Sequence, residues 1–308
     1  MTDGSRKAII AAFFANLGIA IAKFVGFLIT SSAALLAEAG HSLADTGNQG
    51  LLLLGGKRAR RKADVDHPFG YGRERYFWAF VVALVLFSMG GLFALYEGIS
   101  KVRHPHETEN LSIAVGILVL AIALESYSLR TAVKEAQHHK PKSMGWWKYI
   151  RTAKQPELPV VLLEDIGAEV GLFLALGGVL MANATGNPRW DAVGSISIGV
   201  LLVLIAVLLA IETKGLLIGE AAGTLEREGI VAAIEGADHV EHLIHVRTEH
   251  LGPDEILVAA KVEFDADLSF AGLASAINAC ESAIRAAVPM ARLIYLEPDV
   301  HRAAPAGE

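Results

Sequence analysis

Six apolar stretches follow one another through the first two thirds of the chain, at 8–30, 32–56, 76–100, 110–129, 158–183 and 190–211. A helix crosses the hydrocarbon core of a bilayer with about 20 residues, so each is long enough to span it. From about residue 219 the long runs give way to short alternating ones. That second pattern predicts a helix over 225–236, a strand over 243–248, a turn at Gly252-Pro253-Asp254 and a strand over 255–264. Ser269 is placed to cap a helix running to about 288, and 292–296 reads as a third strand. The expected fold is thus an α-helical membrane protein with six transmembrane helices over 1–215, a small cytoplasmic α+β domain over 216–301 and a flexible tail at 302–308. Helices layered on a small antiparallel sheet are the simplest packing for the second part. No fixed-period repeat is evident.

Composition fits that division. The chain is 53% hydrophobic with a mean hydropathy of +0.43 and still 19% charged, too apolar for a soluble domain and too charged for membrane alone. A net charge of -6 and basic residues confined to loops give no nucleic-acid footprint. The loop charges set the orientation, because cytoplasmic loops carry the excess of Lys and Arg. Sixteen basic residues at the N-terminus, in the link after the second span and in the link at 130–157 fall on one side, against Lys101, Arg103 and Arg189 on the other. Both termini are therefore expected in the cytoplasm, with the chain held in lipid at the plasma (inner) membrane of a bacterium. MTDGSRK followed by a long apolar run lacks a small-residue cleavage site where a signal peptide would need one, so the first span is expected to remain. Trp146 and Trp147 suit a membrane interface, and the lone Cys280 reads as core packing in an Ala-rich helix.

The chemistry sits where polar groups interrupt the apolar runs. AEAGHSLADTGNQ, residues 37–49, puts Glu38, His41 and Asp45 inside the second span, where each costs several kcal/mol unless paired or solvated. His41 and Asp45 are four apart and share a helix face. An imidazole nitrogen and a carboxylate oxygen one turn apart supply half of a tetrahedral zinc site, with Asn48 near the same face. Polar glue between helices is the plainer reading of such a pair. The fifth span carries LLEDIGAEVGLFLALGG, with Glu164, Asp165 and Glu169 in an otherwise apolar run. Asp165 and Glu169 share a face, and antiparallel spans bring Asp45 level with Asp165 and His41 level with Glu169. Glu164 is equally placed to pair with a basic residue, and Glu169 to line an aqueous vestibule. Lys23 in the first span is expected to snorkel or to pair with a neighbouring helix.

HSLAD in the second span, DHPFGYGRER after it, LLEDIGAEVG in the fifth and the terminal LIYLEPDV together resemble the cation diffusion facilitators, proton-coupled exporters of divalent metals. The resemblance covers nearly the whole chain. HSLADTGNQG with HPFGYGRERY is most similar to a divergent branch that includes a mitochondrial zinc transporter of animals. It implies six membrane helices, a ferredoxin-like cytoplasmic domain, a homodimer and a transport site of paired residues on the second and fifth helices. Those positions fall on His41, Asp45 and Asp165. Four residues before Asp165, where zinc-transporting members have His or Asp, this chain has Val161. Glu169, Glu164, Asn48 or water is then left to complete the coordination. His with carboxylates suits zinc, whereas a site richer in oxygen admits manganese, cobalt or iron(II). Asp64 and His67 match a second metal site of some members, with Tyr71 where that pattern has a histidine; the alternative is that His67-Pro68 shapes a turn while Arg73 pairs with Glu74. In the last domain Ile244, Lys261 and Tyr295 replace family histidines and Glu297 keeps a carboxylate, while His239, His242, His245 and His250 read as a solvated edge.

The function expected is divalent metal efflux, zinc first, in exchange for protons by alternating access, since metal and protons compete for the same deprotonated ligands. No cofactor is expected and no P-loop appears, which leaves an ion gradient as the energy source. An intramembrane metallohydrolase would need a positioned acid or base, and neither HExxH nor GxSxG is present. A non-transporting scaffold would leave the buried polar residues unexplained.

Overall fold

A computed structural model describes residues 3–30, 33–104 and 111–301, without the side chains of 3–5, 30, 33–38, 40 and 41. Residues 31 and 32 of the first link, the tail at 302–308 and the side chains of Glu38 and His41 thus lie outside the described residues. In chain order the elements are α1 (Asp3–Thr30), α2 (Ala33–Arg58), α3 (Glu74–Val85), a π-helical segment (Leu86–Leu92), α4 (Phe93–Arg103), α5 (Leu111–His139), α6 (Trp146–Thr152), α7 (Glu157–Thr185), α8 (Arg189–Ile218), α9 (Thr224–Glu235), β1 (Val240–Gly252), β2 (Glu255–Phe264), α10 (Phe270–Ala287) and β3 (Ala291–Pro298). They form two compact units, one of 1–60 and 74–214, the other of 61–73 and 215–308. The loop 61–73 therefore goes with the sheet domain and not with the helices that flank it in sequence.

Among the described residues, four helical stretches are long and apolar enough to cross a membrane: Arg6–Ile29, Glu74–Arg103, Leu111–His139 and Arg189–Ile218. The sequence reading expected six. The remaining two long helices, α2 and α7, have 26 and 29 residues and match a bilayer in length. Their polar residues set them apart, and these are the two helices on which the candidate chemistry sits. Helix α5 runs ten residues beyond its expected end at 129, because no Gly or Pro follows until Pro141. Helix α7 starts behind Pro156 and stops at Gly186, whose φ of 66° terminates it in the left-handed conformation.

Among the described residues, the helical unit is held by small residues and by a buried ion pair. A Cβ added at Gly91, Gly98 or Gly199 would come within 2.6–2.7 Å of Val203, Ile196 or Leu95 respectively, so α3–α4 and α8 lie antiparallel at backbone distance. Arg75 at the start of α3 grips Glu157 at the start of α7 through two nitrogens, one of them 2.9 Å from Oε2, and both residues are buried. Val161 lies in the apolar core of this unit beside Leu162 and Ile205.

The second unit is a three-stranded sheet in the order β1-β2-β3, with α9 and α10 contributing to its core. Strand β2 alternates strictly: Ile256, Val258, Ala260, Val262 and Phe264 are buried, while the residues between them are not. Strands β1 and β2 pair antiparallel, but β2 and β3 are parallel, where an all-antiparallel sheet was expected. The reason is α10, which carries the chain back across one face before β3 begins, as parallel strands require. Ser269 caps α10 by accepting from the Gly272 amide at 3.1 Å. Against the β-α-β-β-α-β order of ferredoxin-like folds, this unit shows α-β-β-α-β among the described residues. Cys280 is fully buried in its core, and burial pushes the thiol up to about 11.

Candidate metal centre

The polar interior of the helical unit is assembled by three helices. Helix α2 brings Asp45, Asn48 and Gln49, α7 brings Glu164, Asp165 and Glu169, and α5 brings Glu125, Ser126 and Ser128. Hydrogen bonds fix their register. Ser128 Oγ donates to Asp165 Oδ2 at 2.8 Å, and Ser126 Oγ donates to Glu169 Oε1 at 2.8 Å, so α5 and α7 run antiparallel with those pairs level. Across the other side, Asn48 Nδ2 donates to Glu164 Oε1 at 3.0 Å and Gln49 Nε2 to Glu164 Oε2 at 2.6 Å. Both oxygens of Glu164 are thereby taken by side-chain amides, not by the basic partner considered from the sequence. Asp45, half-buried, lies within electrostatic reach of Glu125, Glu164 and Asp165.

Four side-chain oxygens in this region are buried without a hydrogen-bond donor among the described residues: Asp165 Oδ1, Glu169 Oε2, Asn48 Oδ1 and Gln49 Oε1. Every one is an acceptor. An unsatisfied buried acceptor is costly in an apolar interior, and a cation is one kind of group that can satisfy such oxygens. Asp165, fully buried, points one oxygen at Ser128 and leaves the other available. Serine here orients a carboxylate in the way that outer groups orient the ligands of a metal.

Lys23, the polar residue of the first span, is buried and donates from Nζ to Ser42 Oγ at 3.1 Å. Ser42 follows His41 and precedes Asp45 by three, so its backbone lies about one helical turn from that of Asp45. The sequence reading had left this lysine between snorkelling and pairing with a neighbouring helix; it pairs with α2.

The loop pair is braced by its own surroundings. Asp64 accepts the His67 amide at 2.8 Å on Oδ1 and the Tyr71 hydroxyl at 2.7 Å on Oδ2. The Tyr71 hydrogen bond, followed by the one from the His67 amide, holds the Asp64 carboxyl below the usual carboxylate range. His67 Nδ1 lies 3.5 Å from Asp64 Oδ1, and its ring packs on Tyr71 at 4.4 Å between centroids. Arg73 pairs with Glu249 and Glu74 accepts from the Trp78 indole at 2.7 Å, so the expected Arg73–Glu74 pair gives way to two other partnerships. In the sheet domain, His239 and His242 sit 2.7 Å and 2.8 Å from Asp265 and Glu263. His250 is buried, unlike the solvated edge expected of it. Glu241, His242 and Glu263 bring three ligand atoms within 4.8 Å of one another at the surface of that domain. Lys261 reaches both Asp299 and Glu297, at 2.8 and 3.1 Å.

The sequence reading did not assign Gln49, Glu125, Ser126 or Ser128 to the site. The available signal was the spacing within ESYS: Glu125 and Ser128 are three apart, on one face of an apolar helix, and both are buried.

The family model of the cation efflux transmembrane domain matches residues 9–218. The proton-coupled zinc antiporter SLC30A9, mitochondrial, of Homo sapiens is 31% identical over 263 residues, covering 85% of this chain and 46% of the relative. Metal tolerance protein C4 of Arabidopsis thaliana is 28% identical over 265 residues, covering 86% of this chain and 58% of the relative. A cadmium, cobalt and zinc/H(+)-K(+) antiporter of Bacillus velezensis is 34% identical over 130 residues, covering 39% of this chain and 41% of the relative. The chain spans about half the length of the first two of these relatives.

Proposed function

The chain belongs to the cation efflux family, a family of membrane transporters and not of enzymes, and from that membership we propose that it exports a divalent metal, zinc foremost, in exchange for protons. The observation that carries this reading is the set of buried donorless acceptors on α2 and α7, which a dication would satisfy. His41, Asp45 and Asp165 are the proposed transport ligands, with Glu169 and Asn48 close by to complete an open shell. Glu164, bonded on both oxygens, is the strut that sets α2 against α7.

Six membrane crossings are proposed, α2 and α7 being the two whose polar residues form the path. The excess of Lys and Arg in the links supports placing both termini in the cytoplasm, here that of a bacterium with the chain in its plasma membrane. In the mechanism, metal arrives from the cytoplasmic side and displaces protons from His41 and the carboxylates. Rocking of the helices exposes the site to the far side, where incoming protons release the metal. Metal and protons exclude each other on the same atoms, which couples the two fluxes without a further energy source. Two copies form the working unit.

Manganese, cobalt and iron(II) are the second reading of the cargo, favoured by the preponderance of oxygen donors over the single imidazole. Reconstituted vesicles with an imposed pH gradient decide between them when each metal is offered in turn. Zinc uptake above the other three metals, lost in Asp45→Ala and Asp165→Ala, is the expected result. Absence of flux for every metal with folded protein would overturn the transport reading.

A further inference from the structure

Glu125 is 1% exposed, on the helix that was not expected to join the site. Its place follows from the hydrogen bonds of its own helix. Ser128, three residues on, faces Asp165, and Ser126 faces Glu169. Residues three apart on a helix differ by about 60° and about 4.5 Å along the axis, so Glu125 shares the Ser128 face and stands one turn away from Asp165 in the direction of Glu169. Its carboxylate feels those of Asp165, Asp45, Glu164 and Glu169. None of the donors that hold Asp165, Glu169 and Glu164 is bonded to it. Five carboxylates from three helices thus lie within electrostatic reach of one another, three of them buried, and a bound cation or protons must neutralise them. Val161, where other members have a ligand, is meanwhile enclosed by apolar neighbours and has no oxygen to offer.

We propose that Glu125 of α5 is a ligand of the transported divalent cation, reaching it from the Glu169 side of Asp165 and making this a three-helix site. The inference rests on the transport site proposed above for α2 and α7. A ligand from a third helix also ties α5 to metal occupancy: loading draws α5, α2 and α7 together, and release frees them. The donor set becomes one imidazole with three carboxylates, which broadens acceptance from zinc towards cobalt and manganese.

Cobalt(II) is the probe, because its visible d–d bands report the atoms bound to it. Full-length protein in detergent or nanodiscs is titrated with cobalt and then with zinc, comparing wild type with Glu125→Gln, Glu125→His, Asp45→Ala and Asp165→Asn. Glu125→Gln is expected to lower zinc affinity more than tenfold. Glu125→His retains cobalt but moves its bands to higher energy, since a nitrogen replaces an oxygen, a signature that a merely structural role would not give. Wild-type affinity in Glu125→Gln with an unmoved spectrum in Glu125→His, while Asp165→Asn loses the metal, overturns the role of Glu125 and leaves the α2–α7 site standing. Cobalt binding untouched by Asp45→Ala and Asp165→Asn would instead remove the site itself, and this inference with it.

Discussion

At the scale of single residues, the account turns on which buried oxygens have donors. Ser128→Ala deletes the donor to Asp165 Oδ2. A hydrogen bond of this kind contributes about 1 kcal/mol, so zinc affinity should fall about fivefold without loss of fold, as isothermal titration would show. Cys280 offers a control in the other unit. Its thiol is buried and raised to about 11, and only the thiolate reacts. Maleimide at pH 7 should leave it unlabelled in folded protein and label it fully in denaturant; rapid labelling under native conditions would contradict its placement in the core. Much at this scale was legible in the sequence. Asp45, Asp165 and Glu169 stood out because charge in an apolar run must have a reason. Ser126, Ser128 and Gln49 did not, since serine and glutamine inside a membrane helix are ordinary helix–helix glue until their partners are known. The pairing of Glu164 with two amides was equally beyond reach, because it depends on how two helices are rotated.

At the scale of elements, helix contacts depend on glycines and on ion pairs, the buried one between Arg75 and Glu157 above all. Gly199→Val would drive a side chain into Leu95, backbone nitrogen included, and should force α8 from α3–α4. Reduced melting temperature and loss of transport are the expected results, with Gly177→Ala, whose Cβ meets nothing within 4 Å, as the silent counterpart. Arg75→Ala strands a buried Glu157 and should cost about 3–5 kcal/mol. The double replacement Arg75→Met with Glu157→Leu removes both charges and should recover most of that loss in thermal unfolding. Element lengths were readable where a breaker lay close by, as with β2 and α10, whose bounds match the alternation and the Ser269 cap. They were misread where helix-compatible polar residues followed the apolar run, as from Arg130 to His139 in α5. The direction of β3 was not legible from its own residues; it follows from the crossover of α10.

At the scale of the whole molecule, a membrane unit that holds carboxylates in its interior must neutralise them with protons or with a cation, and the proposed transport rests on the choice between the two. In the proposed mechanism the carboxylates are shared by metal and protons, so that one flux requires the other. The sequence disclosed this division of labour because composition changes abruptly near residue 219. It did not disclose that 61–73 groups with the sheet domain, as Arg73 does through Glu249. The most direct test records zinc and proton movement together in the same vesicles, with one dye for each ion, for wild type and Asp165→Asn. Zinc-dependent proton counterflow in the wild type, with both fluxes absent in Asp165→Asn, is the predicted result; zinc movement that persists in Asp165→Asn, or that proceeds in the wild type without protons, would contradict the account.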